Sequence, residues 1–359
     1  MQDTTTTPRG DELRVALIGA GQIARQHLSC LKTLPGVQIA GVCDLSPAVA
    51  ESMAERYGIP AWFTNHAAML AEVNADVVHV TTPPTSHFRL AMDALQSGAH
   101  VVVEKPATAT LAELEQLVSY ATERQLVLTE DYNYLFNHAT REIARWVDSG
   151  TLGAVVHVDV MMSLNLFGPG GFADPNARHP ALTLAGGALA DFLPHLASLA
   201  HRFIGAHRRA HAVWTKRRPS ILPYDELHAV VESEHGTATL GFSSTAQPDA
   251  FWLRVFGERG LASTNLWEAR LTLERLRDCP KPLQPLLNGL EEGRAIRRAA
   301  VGTLMRKFKP GPGAYDGMWH LLTGTYAALA RSATLPVPMA HVLEVNRMVE
   351  ALKPMEATS

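Results

Sequence analysis

The stretch RVALIGAGQIA, residues 14–24, decides the fold of this chain. An apolar run leads directly into the pattern G-x-G-x-x-A, and the pattern over 22–34 is helical. The first Gly of such a turn permits tight geometry, the second lets a pyrophosphate approach the backbone, and a small third residue allows helix–strand contact. The sequence therefore predicts a dinucleotide site at a helix N-terminus, with contacts from Gly19, Gly21, Gln22 and Ile23.

An acidic residue follows the next predicted strand, 37–42. Asp44 lies 23 residues after Gly21, close to the spacing of about 20 expected for the acid that binds the adenosine ribose. A carboxylate there accepts hydrogen bonds from the ribose hydroxyls and repels a 2′-phosphate. We therefore predict NAD rather than NADP as the cofactor. The alternative interpretation of the motif is a glycine-rich turn that occurs by chance and binds no dinucleotide.

Strand and helix patterns alternate through the first third of the chain. This alternation is typical of a doubly wound parallel sheet, a Rossmann-type α/β domain. The predicted strands are 14–18, 37–42, 61–64, 77–81, 99–103 and 126–129, and the helices between them are 22–34, 47–57, 67–73, 86–96 and 111–124.

The pattern changes after about residue 134, where longer, alternating strands begin. They predict a second, α+β domain with a mostly antiparallel sheet. Its strands are expected at 155–162, 210–216, 226–234, 237–244 and 251–257, and its helices at 139–149, 188–203, 317–331 and 341–353. The expected division is a disordered N-terminus over 1–12, a dinucleotide-binding domain over 13–133, and a substrate-binding and oligomerisation domain over 134–359.

Composition narrows the class of protein. With 47% hydrophobic residues, 19% charged residues and a net charge of -3 among 359 residues, the chain is globular and has no basic excess for nucleic acid. Its three cysteines lack C-x-x-C spacing, so we predict no metal site and a reducing compartment. The Thr-rich start lacks the apolar region of a signal peptide, and no run of about 18 apolar residues predicts a membrane span. We expect a cytoplasmic protein.

A charged pair ends the fifth predicted strand. Glu104-Lys105-Pro106 follows the apolar run 99–103, which is typical of a buried parallel strand. Open α/β sheets bind ligands beyond the carboxyl ends of their strands. Lys105 is therefore expected to point into a ligand crevice.

A second polar pair lies on the predicted helix 188–203. Asp191 and His195 are four residues apart, which places both side chains on one helix face beside an apolar stripe. A carboxylate and an imidazole there are costly unless they are used or paired. A satisfied core histidine with a surface aspartate is the alternative interpretation.

Taken in order, the motifs at 19–24, 82–87, 104–106 and 186–195 resemble those of the GFO/IDH/MocA oxidoreductases, the glucose–fructose and inositol dehydrogenase type. The resemblance spans 13 to about 353. It implies an N-terminal Rossmann domain and a C-terminal domain with a large open sheet that commonly supports dimers or tetramers. It also implies catalysis by Lys105, with Asp191 and His195 reaching the substrate. Leu193 and Leu135 depart from the family pattern, which commonly has Gly and Arg there.

The expected reaction is oxidation of a secondary hydroxyl of a sugar, cyclitol or sugar derivative. His195 is the expected general base, since an imidazole has an unperturbed pKa of about 6.5. Asp191 orients the site, and Lys105 stabilises the developing alkoxide. Further candidates are Thr82, Pro83, His87 and Glu104 for the cofactor, and Asn133, Asn165, Arg178 and His179 for the substrate. Each candidate loop residue could instead be solvated, and His87 could lack ligand contact.

Two other functions stay open at this point. One is a glycoside hydrolase or epimerase in which tightly bound NAD is reduced only transiently, and the other is a non-catalytic NAD-binding scaffold. The basic stretch 288–309 is predicted to be helical. It is expected to form a solvated or subunit-contact face, although it could also lie on an anionic membrane or cover the active site.

Overall fold

The computed structural model describes residues 12–168, 170–174, 176, 179–268, 270–306 and 315–354. The chain forms two compact units. The first contains residues up to 131 together with 318–343, and the second contains 132–317 and the residues from 344 onward. Among the described residues, every helix is too short or too polar to span a lipid bilayer.

A six-stranded parallel sheet is the centre of the first unit. Its strands are β1 Leu13–Ile18, β2 Val37–Cys43, β3 Trp62–Phe63, β4 Val77–Val80, β5 His100–Val103 and β6 Leu128–Glu130. They lie in the order β3-β2-β1-β4-β5-β6, the order of a Rossmann fold. The first-unit helices are α1 Gln22–Leu31, α2 Pro47–Tyr57, α3 His66–Val73, α4 His87–Gln96 and α5 Leu111–Glu123.

The central strands of this sheet are apolar because both faces are covered. All four residues of β4 are buried, as are the last three of β5. Local signals fix the helix starts: Pro47 occupies the first turn of α2, and Thr110 forms a capping box with Glu113 at α5. The predicted α/β class is confirmed, with element bounds that differ by up to three residues.

The second unit is built on a seven-stranded mixed sheet. Its strands are β7 Val155–Ser163, β8 His207–Thr215, β9 Glu226–Ser233, β10 Thr237–Ser243, β11 Ala250–Gly257, β12 Gly260–Asn265 and β13 Leu271–Arg275. Their order is β13-β12-β11-β7-β10-β9-β8, antiparallel except where β10 pairs in parallel with β7. The mostly antiparallel class is confirmed, and β12 and β13 are strands that the sequence analysis did not predict.

Helices cover one face of this sheet. The helices are α6 His138–Asp148, α7 Ala188–Ile204 and α8 Leu283–Arg306, and α7 packs on β7 and β10. On the other face Val213 and Val230 are more than half exposed and line a shallow cavity of about 400 Å³. Strand residues therefore alternate between a covered and an open face.

Two helices end the described chain. They are α9 Asp316–Arg331 and α10 Met339–Leu352, and 318–331 of α9 and 339–343 of α10 belong to the first unit. The sequence-based division assigned this segment to the second domain. Long-range bonds within the first unit explain the difference: Tyr326 bonds to His79, and Thr129 donates to the carbonyl of Val337.

The basic stretch forms α8, which starts five residues earlier than expected. Its inner side makes polar bonds: Gln284 and Asn288 bond to Arg277, and Glu292 pairs with Arg270. Its outer side exposes leucines at positions 283, 286, 287 and 290. Further along the helix, Arg294, Arg297 and Arg298 line a surface cavity of about 570 Å³. The remaining basic side chains of this stretch, those of Arg306, Lys307 and Lys309, lie outside the described residues.

Candidate active site

The glycine turn between β1 and α1 leaves space for a ligand. Gly19 has φ +98°, and a Cβ there would lie 2.8 Å from the backbone carbonyl of Thr81. Gly21 precedes α1 without a side-chain cap, and a Cβ there would meet no atom within 4 Å. The N-terminus of α1 therefore has open space beside it, as binding of a diphosphate there requires.

Asp44 is tied to this turn by both carboxylate oxygens. Its Oδ2 accepts a hydrogen bond from the backbone N–H of Ala20 at 2.9 Å, and its Oδ1 accepts one from Ser46 at 2.9 Å. The side chain thus joins the glycine turn to the start of α2. This places the predicted ribose-binding acid at the edge of the turn.

The turn and Asp44 line a cavity of about 570 Å³, within the usual size range of ligand pockets. Thr82 and Pro83 line the same cavity, as predicted for a cofactor site. Sequence reasoning missed several lining residues, among them Leu45, His66 and Arg89. Leu45 is 92% exposed, and a large apolar side chain directly after the predicted ribose-binding acid was a signal for it.

His87 supports the loops around this cavity. Its ring is buried, with Nδ1 2.7 Å from the Pro106 carbonyl oxygen and Nε2 2.7 Å from that of Thr82. Burial lowers the pKa of His87, although the two carbonyls act in the opposite direction. The structure therefore shows His87 joining the loop at 82 to the loop at 106, and direct cofactor contact stays a prediction.

The two charged residues after β5 have different surroundings. Lys105 is half-buried, while Glu104 is buried and accepts a hydrogen bond from Nε2 of His27 at 2.9 Å. Burial raises the pKa of Glu104, but the hydrogen bond from His27 and the charge of Lys105 lower it overall. Asp131 lies beside this pair, and burial and the charge of Glu104 raise its pKa well above the ordinary value. The Glu104 side chain is thus hydrogen-bonded to a residue inside the first unit.

His27, Glu104 and Asp131 each offer a ligand atom, and these atoms lie within 4.8 Å of one another. A cation could be held at such a spacing. However, His27 already bonds to Glu104 through Nε2 and to His79 through Nδ1 at 2.8 Å. We therefore assign the three residues as hydrogen-bond partners rather than metal ligands.

The Asp–His pair lies near the start of α7 in the second unit. Asp191 is half-buried, and His195 is 7% exposed. Their spacing places them one turn apart on one face. The helix continues past Pro194, which cannot donate a backbone hydrogen bond.

Aromatic side chains surround His195. The Tyr134 ring lies edge-on to it at 4.8 Å and contacts Phe251 at the same distance. Trp267 donates from Nε1 to the Tyr134 hydroxyl at 3.2 Å. Sequence reasoning did not identify this aromatic wall, because its members come from three separate segments of the chain.

The predicted substrate-binding residues have different surroundings. Asn133 Oδ1 is buried and has no hydrogen-bond partner among the described residues. Asn165 is exposed and accepts from the N–H of Phe167, while His179 accepts from the N–H of Ala181 and contacts the ring of Phe172. Arg178 lies outside the described residues. Lys105 belongs to the first unit and the Asp–His pair to the second, so their joint action stays a prediction.

Comparison with protein families gives two matches. The GFO/IDH/MocA model, an oxidoreductase family with an NAD-binding Rossmann fold, matches residues 13–132. The GFO/IDH/MocA C-terminal domain model matches residues 140–263.

Characterised relatives align over different lengths. D-glucoside 3-dehydrogenase of Escherichia coli K12 is 35% identical over 144 residues, 40% of this chain and 41% of that protein. The dTDP-3,4-didehydro-2,6-dideoxy-alpha-D-glucose 3-reductase of Streptomyces violaceoruber is 30% identical over 77% of this chain and 76% of its own. A glycosyl hydrolase family 109 protein of Akkermansia muciniphila is 31% identical over 42% of this chain and 34% of its own.

Solved structures share the fold. The WlbA dehydrogenase of Bordetella pertussis, in complex with NADH and UDP-GlcNAcA, superposes with a TM-score of 0.78 at 19% identity. The alignment covers 95% of this chain and 94% of that one. At this identity the likeness shows the fold alone.

Proposed function

Because the chain belongs to the GFO/IDH/MocA family of NAD(P)-binding oxidoreductases acting on CH–OH groups, we propose that its substrate is a sugar, cyclitol or sugar derivative. The enzyme would transfer a hydride between NAD and a secondary hydroxyl or ketone of that substrate. The relatives named for a glucoside and a deoxyglucose derivative support this substrate class.

One observation carries the proposal: Asp191 and His195 share a face of α7, and His195 lies against an aromatic wall. His195 takes the proton of the substrate hydroxyl, and Asp191 orients the imidazole or a neighbouring hydroxyl. Lys105 donates a hydrogen bond to the reacting oxygen and stabilises its developing charge. The bound nicotinamide supplies the hydride acceptor.

For the cofactor we propose NAD, held by the glycine turn and Asp44. Gly21, Gln22 and Ile23 would bring backbone N–H groups to the phosphates, and Thr82 and Pro83 would contact the nicotinamide half. Gly19 would contribute the close turn rather than a donor, because its N–H already donates to the Cys43 carbonyl at 2.8 Å. The cavity supports this proposal because a Cβ on Gly21 would stand in open space rather than against protein.

For the substrate we propose contacts from Asn133, Asn165, Arg178 and His179. Asn133 has the strongest support, since its buried Oδ1 has no partner among the residues that the structure describes. Tyr134 is a further candidate, because an aromatic edge packs well against the CH groups of a sugar ring.

We propose a homodimer or homotetramer that pairs through the open face of the seven-stranded sheet. The exposed Val213 and Val230 support this, because solvent-facing positions of a monomeric sheet are usually polar. The three free cysteines fit the proposed cytoplasmic setting. Light scattering during gel filtration tests the oligomer, which Val230→Asp should dissociate.

The experiment follows NADH absorbance with a panel of methyl glucoside, myo-inositol and UDP-linked sugars. We expect turnover of at least one of them, and a fall of about 10²–10⁴-fold in His195→Ala. His201→Asn is the matched control in the same helix and should retain the wild-type rate. Turnover of Lys105→Met near the wild-type rate would contradict the site, and no NADH with any member would contradict the reaction.

A second candidate is a hydrolase or epimerase that keeps its NAD. The Akkermansia relative, which is named as a glycosyl hydrolase, supports the hydrolase. It predicts cofactor that co-purifies, and glycoside cleavage without net NADH. Release of nitrophenol from nitrophenyl glycosides, together with unchanged absorbance of the cofactor at equilibrium, would favour it over the dehydrogenase.

A further inference from the structure

Five buried polar side chains form a continuous chain inside the first unit. His27 of α1 bonds through Nε2 to Glu104 at 2.9 Å and through Nδ1 to Nδ1 of His79 at 2.8 Å. His79, in β4, bonds through Nε2 to the hydroxyl of Tyr326 in α9, also at 2.8 Å. Asp131 completes the group beside Glu104. None of the five is more than 8% exposed.

The chemistry of these groups favours one direction for each hydrogen bond. Burial raises the pKa of Tyr326, so its phenol keeps its proton, and burial lowers the pKa of His79, so that ring stays neutral. Tyr326 then donates to Nε2 of His79, and Nδ1–H of His79 donates to Nδ1 of His27. The remaining proton of His27 lies on Nε2 and donates to Glu104. Every donor along the chain therefore points toward Glu104.

The titratable groups around Glu104 come from several elements. His27 faces it from α1, His87 from α4 and Lys105 from the following position, while Asp131 lies beside it after the end of β6, with Glu130 next to Asp131. Burial and the charge of Glu104 raise the pKa of Asp131, whereas the hydrogen bond from His27 and the charge of Lys105 lower that of Glu104, so Glu104 is the more readily ionised carboxylate of the two. A buried carboxylate next to an ammonium favours the charged form of that ammonium.

We propose that His27, His79 and Tyr326 are positioning residues that hold Glu104 as a carboxylate beside the catalytic Lys105. The inference rests on the proposed role of Lys105. His79 matters most, because its donated hydrogen bond fixes the tautomer of His27 and therefore the proton that faces Glu104. Without it, His27 can place its proton on Nδ1 and leave the carboxylate unsupported.

The test is the pH dependence of kcat in His79→Val, measured with the panel sugar that the wild type oxidises fastest. We expect the alkaline limb to move down by about one pH unit, because an ammonium with weaker carboxylate support is deprotonated more readily. His79→Asn should restore the wild-type limb, since its amide can donate to His27. His100→Asn, at the start of β5, is the matched control and should leave the limb in place.

A second readout needs no substrate. Histidine ¹⁵N spectra of the wild type should show His27 protonated on Nε2 and His79 on Nδ1 at neutral pH, and His79→Val should lose the fixed tautomer of His27. If His79→Val does not fold, Tyr326→Phe tests the same chain with a smaller shift in the same direction.

The proposal is overturned if the limbs of His79→Val and the wild type coincide, if the tautomers are reversed, or if purified protein holds one divalent metal per chain at His27. Failure of the proposed function has a different signature. Lys105→Met would then keep its turnover, while the histidine spectra would still show the predicted tautomers.

Discussion

Two glycine turns, one in each unit, introduce the helices that carry the candidate chemistry, and they differ in what surrounds them. A Cβ on Gly21 would meet no atom within 4 Å, whereas a Cβ on Gly187 would lie 2.7 Å from the ring of Pro223. Gly187 also has φ +65°, a conformation that residues with a side chain rarely adopt. The space beside Gly21 is open and can hold a ligand, whereas the space beside Gly187 is already filled by Pro223.

This difference separates two functions of glycine that look alike in sequence. Both turns precede a helix, and both helices carry residues of the proposed site. Their surroundings distinguish them. Substitution of Gly21 should weaken cofactor binding, and substitution of Gly187 should lower the free energy of unfolding. The predictions below test this separation from the largest effect to the smallest.

Gly187→Ala should destabilise the protein by about 2–4 kcal/mol. The loss has two causes, because alanine is strained at a positive φ and its Cβ would overlap the ring of Pro223. Urea unfolding checks it, with Gly168→Ala as control, since a Cβ there meets no atom within 4 Å. If Gly187→Ala lost no more stability than Gly168→Ala, the proposed structural role of Gly187 would be wrong.

Gly21→Val should weaken NAD binding by about 100-fold, ~2.7 kcal/mol, because the side chain fills the space in front of the helix N-terminus. The free energy of unfolding without cofactor should stay near that of the wild type. Calorimetric titration with NAD and urea unfolding measure the two quantities. Unchanged binding would show that the diphosphate lies elsewhere.

Asp44→Asn should shift the preference between NADP and NAD toward NADP by about fivefold, since one repulsive charge near the 2′-phosphate is worth ~1 kcal/mol. The ratio of the two dissociation constants is the measurement. Ser46→Ala should leave it unchanged, because Ser46 meets Asp44 through its backbone N–H. A wild type that already prefers NADP would contradict the proposed cofactor.

Acid should destabilise the first unit through its buried histidines. Burial lowers the pKa of His79, His87 and His100, so the unfolded chain binds these protons more readily than the folded chain. Their contribution to stability is present above about pH 6.5 and is lost as the pH falls below it. His100→Asn should therefore lose less stability than the wild type between pH 7 and 5.5, by urea unfolding. An equal loss would show that His100 titrates normally.

Local patterns were sufficient for the parallel sheet of the first unit. The strands β4 and β5 are apolar because they are buried on both faces, and the glycine turn has a spacing that few other structures require. In the second unit, β12 is rich in small and polar residues and β13 is short, so neither gave a clear strand pattern.

Contacts between distant segments were beyond the reach of the sequence. Nothing in the sequence identified His27 and Tyr326 as the hydrogen-bond partners of His79. The same holds for Tyr134 against His195, which joins segments about sixty residues apart. Such pairs depend on packing, which periodicity and spacing do not encode.

The most direct test of the central claim is single-turnover formation of NADH by Lys105→Met, His195→Ala and the double variant, with the best panel sugar. If both residues act on one reacting oxygen, each single variant should lose about 10²–10⁴-fold, and the double variant should be little slower than the slower single one. Losses that multiply in the double variant, or a Lys105→Met rate within about threefold of wild type, would contradict the account.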